Sequence, residues 1–417
     1  MNHDRAATRG SNLEATSHPR FPDRWLAARL ERLLATVDVR VQLWDGHSSW
    51  PSSRRPIGTL LIGDRRTLLG LIVNPEIWFG EAYTTGRLQV QGDLEQVLEA
   101  LYRMSSPIPS WQDRLRAQLA PAISLSSARR NVHRHYDLGN DFYRLWLDDE
   151  MVYTCAHFRE PASSLADAQR YKLEQVCRKL RLRPGESVLE AGSGWGALAL
   201  HMARQHGVSV IGYNVSHEQV IYAREQAARE GLGGRVTFIE DDYRSATDRV
   251  DAFISVGMLE HVGRRQFHEL SHVLRRTLRR DGGRGLLHFI GRDTPRPLNA
   301  WIRRHIFPGA YPPTLTEVTA DILTPSGMSV LDVENLRLHY ARTLAHWSQR
   351  FGAAADQVRT AYGERFRRAW ELYLAGSEAS FATGWLQLFQ VVFAPVESTP
   401  PFWTRAELYS EDSGTQP

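Results

Sequence analysis

Val188-Leu-Glu-Ala-Gly-Ser-Gly-Trp-Gly196 decides the fold of the larger part of this chain. An apolar run at 187–190 ends on an acid, Glu190, and three glycines follow before a helical pattern at 197–206. Glycine lets the backbone turn tightly and approach a ligand with no Cβ in the way. The Gly-x-Gly spacing alone is shared by many nucleotide sites, so the context has to narrow it. No Lys-Ser/Thr pair follows, which excludes a phosphate-cradling loop. The third glycine comes two residues on rather than three, a departure from the dinucleotide fingerprint. An acidic strand end before such a loop suits a ligand without phosphates and with a cationic amino-acid part, namely S-adenosylmethionine. Glu190, Gly192, Gly194 and Gly196 are therefore candidate cofactor residues.

Further short apolar strands lie at 208–212, 236–240, 252–256 and 286–290, and helical patterns separate most of them. Alternation of strand and helix predicts a doubly wound parallel sheet with helices on both faces. Its binding crevice should open at the carboxyl ends of the strands. The second strand runs to Asn214, where a ribose-binding acid would normally sit, and the third runs into Asp241-Asp-Tyr-Arg244, which suits an adenine. Upstream, Ser164 and Asp167 have capping-box spacing, and Leu173, Val176, Cys177 and Leu180 share one helix face. Pro184-Gly185 ends that helix. The stretch 340–393 reads as aromatic-rich helices.

A smaller α+β unit at 23–110 precedes this domain, after a disordered polar leader at 1–22. It combines a helix at 24–37, strand-like runs at 39–43, 58–62 and 68–73, and a helix at 94–104. Ser and Pro residues at 105–110 mark a domain edge, the second domain spans 125–395, and a polar tail fills 396–417. The 417 residues carry 51 Lys+Arg against 47 Asp+Glu, a net charge of +4. That is too balanced for a nucleic-acid coat, and no nucleic-acid partner is expected. Only Lys172 and Lys179 are lysines, so 51 − 2 = 49 cations are arginine. The two cysteines, Cys155 and Cys177, cannot by themselves form a disulfide framework or a zinc site, and no metal is expected. No apolar run approaches the roughly 18–20 residues that a membrane span needs, and the leader has no apolar signal core.

Several blocks in one order resemble the cyclopropane-fatty-acyl-phospholipid synthases and the related mycolic acid cyclopropane synthases. They are His135-Tyr-Asp-Leu-Gly-Asn-Asp141, Tyr153-Thr-Cys155, the glycine loop, Ser255-Val-Gly-Met-Leu-Glu-His-Val-Gly263 and Leu287-His-Phe-Ile-Gly291. The series continues with Trp301-Ile-Arg-Arg-His-Ile-Phe-Pro308, Tyr340 and Trp385-Leu-Gln-Leu-Phe-Gln-Val-Val-Phe393. Gly80-Glu-Ala-Tyr83 and Gly92-Asp-Leu94 look like the N-terminal domain of the lipid-acting branch.

The resemblance implies a Rossmann-like methyltransferase domain behind a small α+β domain. It also implies methylene transfer from S-adenosylmethionine to the cis double bond of a phospholipid acyl chain, through a carbocation. Such a site must be dry, and ring faces near Trp301, Tyr340, Phe381 and Trp385 would suit a cation. In the family a bound bicarbonate accepts the proton. Its ligands carry over to Glu260, His288, Tyr340, Cys155 and Ile290, the last two largely through backbone; Cys155 is given no nucleophilic role. Cofactor contacts carry over to Tyr153, Thr154, Gly192, Gly194, Gly196, Asn214, Gln219, Tyr243 and Arg244. Ser193 replaces a common loop cysteine, and Ser377 a cysteine once proposed as catalytic. The expected partner is a bilayer surface, met from the cytoplasmic side by a peripheral enzyme, with Arg264-Arg265, Arg303-Arg304 and Arg365-Phe-Arg-Arg368 as headgroup contacts. The small domain is expected to aid docking or dimerisation, a homodimer being possible. Lipid C-methylation giving a branch is the alternative outcome of the same carbocation, and a catalytically dead lipid-binding protein is a second alternative.

Overall fold

The computed structural model describes residues 18–51, 55–104 and 138–409. The domain edge at 105–110, His135 to Asp137, and most of the leader lie outside the described residues. The chain divides into two units, one of Met1–Ser105 with Tyr362–Leu372, the other of Ser106–Ala361 with Tyr373–Pro417.

The first unit holds three strands, β1 (Val39–Gln42), β2 (Gly58–Ile62) and β3 (Leu88–Gly92). β1 and β2 pair in parallel, and β3 is antiparallel to β2. Residues 68–73, expected as a strand, belong to the helix Arg65–Val73. The Asp64 carboxylate accepts from Thr67 N at 2.7 Å and caps that helix. Leu68 and Leu71 are buried while Leu69, Ile72 and Val73 are exposed, so a helical period prevails in a run that also suited a strand. Arg365, Arg367 and Arg368, offered as headgroup contacts, are engaged within this unit. Arg368 donates to the carbonyls of Tyr83 and Leu88 at 2.6 and 3.1 Å, Arg367 pairs with Glu364 and Glu371, and Arg365 lies 3.7 Å from Glu81.

The second unit is built on β4 (Ser187–Ala191), β5 (Ser209–Asn214), β6 (Val236–Glu240), β7 (Ala252–Val256), β8 (Arg284–Gly291), β9 (Met328–Asn335) and β10 (Gln387–Pro395). They form one sheet in the order β6-β5-β4-β7-β8-β10-β9. β4 to β8 are parallel, and β10 runs antiparallel between β8 and β9. The expectation of helices through 393 is corrected here: 387–395 is a strand buried along its whole length. Its mostly apolar run, broken only by Gln387 and Gln390, has no clear period to distinguish strand from helix; Val391 and Val392 are β-branched and favour the strand. Helices pack on both faces. One core layer gathers Leu173, Val176 and Cys177 with Val188 and Leu198, and the other gathers Leu189, Phe253, Leu270 and Leu287. Among the described residues no helix is long and apolar enough to cross a membrane.

Candidate active site

Strand β4 delivers Glu190 to the carboxyl edge of the sheet, where the loop 192–196 turns into the helix Ala197–His206. Gly192, Gly194 and Gly196 have φ of +83°, +55° and +91°, a region costly for any residue with a Cβ. A Cβ on Gly194 would meet nothing within 4 Å, as expected beside an open cavity. Gly196 differs: it does not line that cavity, and its Cβ would come within 2.8 Å of the Phe238 ring and 2.9 Å of Ala223. Its lack of a Cβ allows helix and sheet to pack closely at this point. Gly196→Ala is expected to cost about 2–4 kcal/mol, left-handed strain plus overpacking. Thermal unfolding checks this, and an unchanged Tm would refute it.

The cavity beside the loop is lined by Tyr153, Thr154, Lys172, Glu190, Gly192, Gly194, Trp195, Asn214, Gln219, Asp242, Tyr243, Arg244 and His261. Except for Gly196, this brings together every residue expected to meet the cofactor. Glu190 is 3% exposed and its Oε2 has no partner. Burial pushes its carboxyl up to about 8, opposed by the Lys172 ammonium. Lys172 is itself buried, which brings it down to about 8, and it donates to Thr154 Oγ1 at 3.1 Å. An unpartnered buried carboxylate is what the ammonium of an amino-acid ligand would satisfy. Tyr243 likewise buries an unpartnered hydroxyl.

Two expected contacts are engaged within the protein. Asn214 Nδ2 donates to the Gly194 carbonyl at 3.0 Å and to Gln219 Oε1 at 2.8 Å, so this side chain braces the glycine loop. The Arg244 guanidinium forks onto Asp242 at 2.7 and 2.8 Å and holds that carboxylate in the cavity wall.

The expected proton-acceptor group is not part of the cavity wall. Glu260, on the short helix Leu259–Val262, is 5% exposed with Oε2 unpartnered. Burial pushes its carboxyl up to about 7, against hydrogen bonds from its own and the Ile290 backbone. His288 and Ile290 sit two apart on β8 and so share a face. His288 is 2% exposed, burial holds it well below its ordinary value, and its Nε2 is unpartnered. Cys155 Sγ donates to the Ala156 carbonyl at 3.1 Å and lies 4.0 Å from the Leu336 carbonyl. Tyr340 lies on the helix Arg337–Ala353 next to Leu336, its ring 4.5 Å from that of Phe381. Burial drives the Cys155 thiol far up, which suits a structural rather than a nucleophilic cysteine.

Cys177, His201 and His206 bring ligand atoms within 4.8 Å of one another. Glu174 Oε2 already meets both imidazoles at 3.2 and 3.1 Å and Arg178 holds Oε1 at 2.8 Å, so this group satisfies itself.

Lys172, Lys179 and Gln390 escaped the sequence reading as site residues. The two lysines carried a signal: they are the sole lysines among 51 cations, and both are buried.

The sequence pattern of the mycolic acid cyclopropane synthetase family matches residues 123–391. The chain belongs to this family. A second pattern, that of a domain of unknown function, matches 28–109. A probable fatty acid methyltransferase of Pseudomonas putida is 34% identical over 385 residues, 89% of this chain and 96% of that protein. The cyclopropane-fatty-acyl-phospholipid synthase of Escherichia coli K12 is 38% identical over 288 residues, 68% of this chain and 73% of that protein. Among solved structures, the cyclopropane synthase MmaA2 of Mycobacterium tuberculosis matches with TM-score 0.61 and 29% identity, covering 64% of this chain and 98% of that one. The mycolic acid cyclopropane synthase CmaA1, complexed with SAH and CTAB, gives TM-score 0.60. The chain is thus an S-adenosylmethionine-dependent enzyme of the methyltransferase class, related to lipid-modifying members.

Proposed function

We propose that this protein forms cyclopropane rings on unsaturated acyl chains of membrane phospholipids. S-adenosylmethionine supplies an electrophilic methyl group. Tyr153, Thr154, Glu190, Gly192, Gly194, Gln219 and Tyr243 would hold it, with Asn214 and Arg244 bracing the cavity. The alkene's π electrons would take the methyl as its bond to sulfur breaks and S-adenosylhomocysteine leaves, and the carbocation would close to a ring when the new methyl loses a proton. Bicarbonate would supply the base, held by Glu260, His288, Tyr340 and the backbone near Cys155 and Ile290. The observation that carries this reading is the pair of buried, unpartnered atoms Glu260 Oε2 and His288 Nε2. Together an acceptor and a ring nitrogen can satisfy both the hydroxyl and the oxygens of a small protonated anion. Buried aromatics, Trp301, Tyr340 and Phe381, supply apolar surroundings that suit a cation. Docking at the cytoplasmic face of a bilayer would use exposed Arg265, Arg303 and Arg304.

The Pseudomonas putida relative, matched along nearly its whole length and named a probable fatty acid methyltransferase, favours a second reading: the same carbocation resolved to a branched chain. Expression in cells that lack such enzymes, with mass spectrometry of their fatty acids, separates the two. The synthase gives a gain of one CH₂ and a product without an alkene, its ring distinguished from a branch by fragmentation. A branched product supports the second reading, and unchanged lipids overturn both.

A further inference from the structure

Strands β8, β10 and β9 place three polar side chains in one row. Gln390 stands opposite His288 across β8–β10 and opposite Glu334 across β10–β9. All three register positions are antiparallel partners, so the three side chains share a face of the sheet. The helix Leu165–Lys179 ends above this row, and Lys179 Nζ donates to both Glu334 Oε2 and Gln390 Oε1. Gln390 Nε2 lies 3.1 Å from His288 Nδ1. Gln390 and Lys179 are fully buried and His288 is 2% exposed, so water does not offer these groups an alternative partner.

We propose that Lys179 and Gln390 are positioning residues that fix His288 in the tautomer with its proton on Nε2, the unpartnered nitrogen.

The donor inventory leads there step by step. An ammonium only donates, so the atom of Gln390 facing Lys179 must be its carbonyl oxygen. The amide nitrogen therefore faces His288, and an amide nitrogen also only donates. Nδ1 must then accept, so it carries no proton. A neutral imidazole has one proton, and it is left on Nε2. An imidazolium would set Nδ1–H against the amide N–H, donor against donor, so the same contact resists charging of His288. Glu334 balances the Lys179 charge and keeps the ammonium on this row. His288 thus presents a hydrogen-bond donor, and not a base, from its free end. This deepens the proposed function and rests on it for the identity of the acceptor: a small anion such as bicarbonate would take that hydrogen bond. The tautomer itself does not rest on it.

The full-length protein labelled with 15N-histidine tests the relay. His288→Asn, spectroscopically silent at that position, assigns the resonances. The expected wild-type signature is a protonated Nε2 and an unprotonated Nδ1. Gln390→Glu, nearly the same size, replaces the donor by an acceptor that Lys179 can still hold. It should move the proton to Nδ1, and turnover should fall about 10-fold or more while the KM for S-adenosylmethionine stays within about twofold. Gln390→Met, which keeps the volume and removes both polar ends, should leave a mixture of tautomers and an intermediate rate. A wild-type proton on Nδ1 overturns the proposal. So does a Gln390→Glu protein that folds and keeps the wild-type tautomer. If the tautomer shifts as expected while turnover in bicarbonate-free buffer equals that with added bicarbonate, the relay stands and the bicarbonate reading falls.

Discussion

Replacing Glu260 by Gln, or His288 by Ala, is expected to lower turnover by about 100-fold or more, the usual scale for disabling the group that takes the proton, here the anion these two residues would hold. Neither residue lines the cavity beside the glycine loop, where the cofactor is proposed to bind, so the dissociation constant for S-adenosylmethionine should stay within about twofold of the wild type. The pH dependence adds a sharper test. Burial raises the Glu260 carboxyl to about 7. Its ionised form, the one able to accept a hydrogen bond from a protonated anion, becomes dominant only above that pH. Turnover of the wild type should therefore climb as pH rises through about 7, and be lost as pH falls below it. Glu260→Gln should flatten that limb, because an amide does not titrate in this range. Rates on unsaturated phospholipid vesicles, with calorimetric titration of the cofactor, measure both quantities. Loss of cofactor binding in either variant would remove these two residues from the anion-holding role.

What the chain revealed in advance depended on how local each determinant is. The glycine loop and its acid lie within nine residues, and strands 236–240 and 252–256 are short apolar runs between helices; all are legible without tertiary knowledge. The run 387–393 is as apolar as those strands, but follows a long helical stretch, and only its pairing between β8 and β9 makes it a strand. Residues 68–73 failed in the opposite sense, because a single cap at Asp64 commits that run to a helix. At the site, the sequence offered Gly196 as a cofactor residue, and the fold shows a further demand on it, close packing against Phe238 and Ala223. Asn214 and Arg244 have the right position in sequence, and the fold uses both within the protein. The relay through Lys179 and Gln390 joins residues 211 positions apart and depends on which end of an amide faces which neighbour. No pattern of residue types encodes that orientation; it follows only when a lysine and an imidazole are seen on either side of one glutamine.

Glu190→Gln is expected to weaken S-adenosylmethionine binding by roughly 10–100-fold, the loss of a charge-assisted hydrogen bond worth about 1.5–3 kcal/mol. The variant should fold, since the amide fills the same volume and Glu190 Oε2 has no protein partner to lose. The physical reason for so large an effect is the state in which this carboxyl waits. Burial lifts it to about 8, so near pH 7 it is mostly protonated in the empty protein. An arriving α-ammonium group favours the carboxylate and pulls the value back down. Binding near pH 7 should then release a proton, and the release should fade as pH rises past about 8, where the carboxyl is already ionised. Titration calorimetry in buffers of different ionisation enthalpy counts that proton directly. Glu190→Gln has no such proton to give, so its apparent binding enthalpy should no longer vary with the buffer. Wild-type binding that releases no proton at pH 7 would mean that the amino group of the cofactor is met elsewhere in the cavity, with Asp242 the remaining buried carboxylate on its wall.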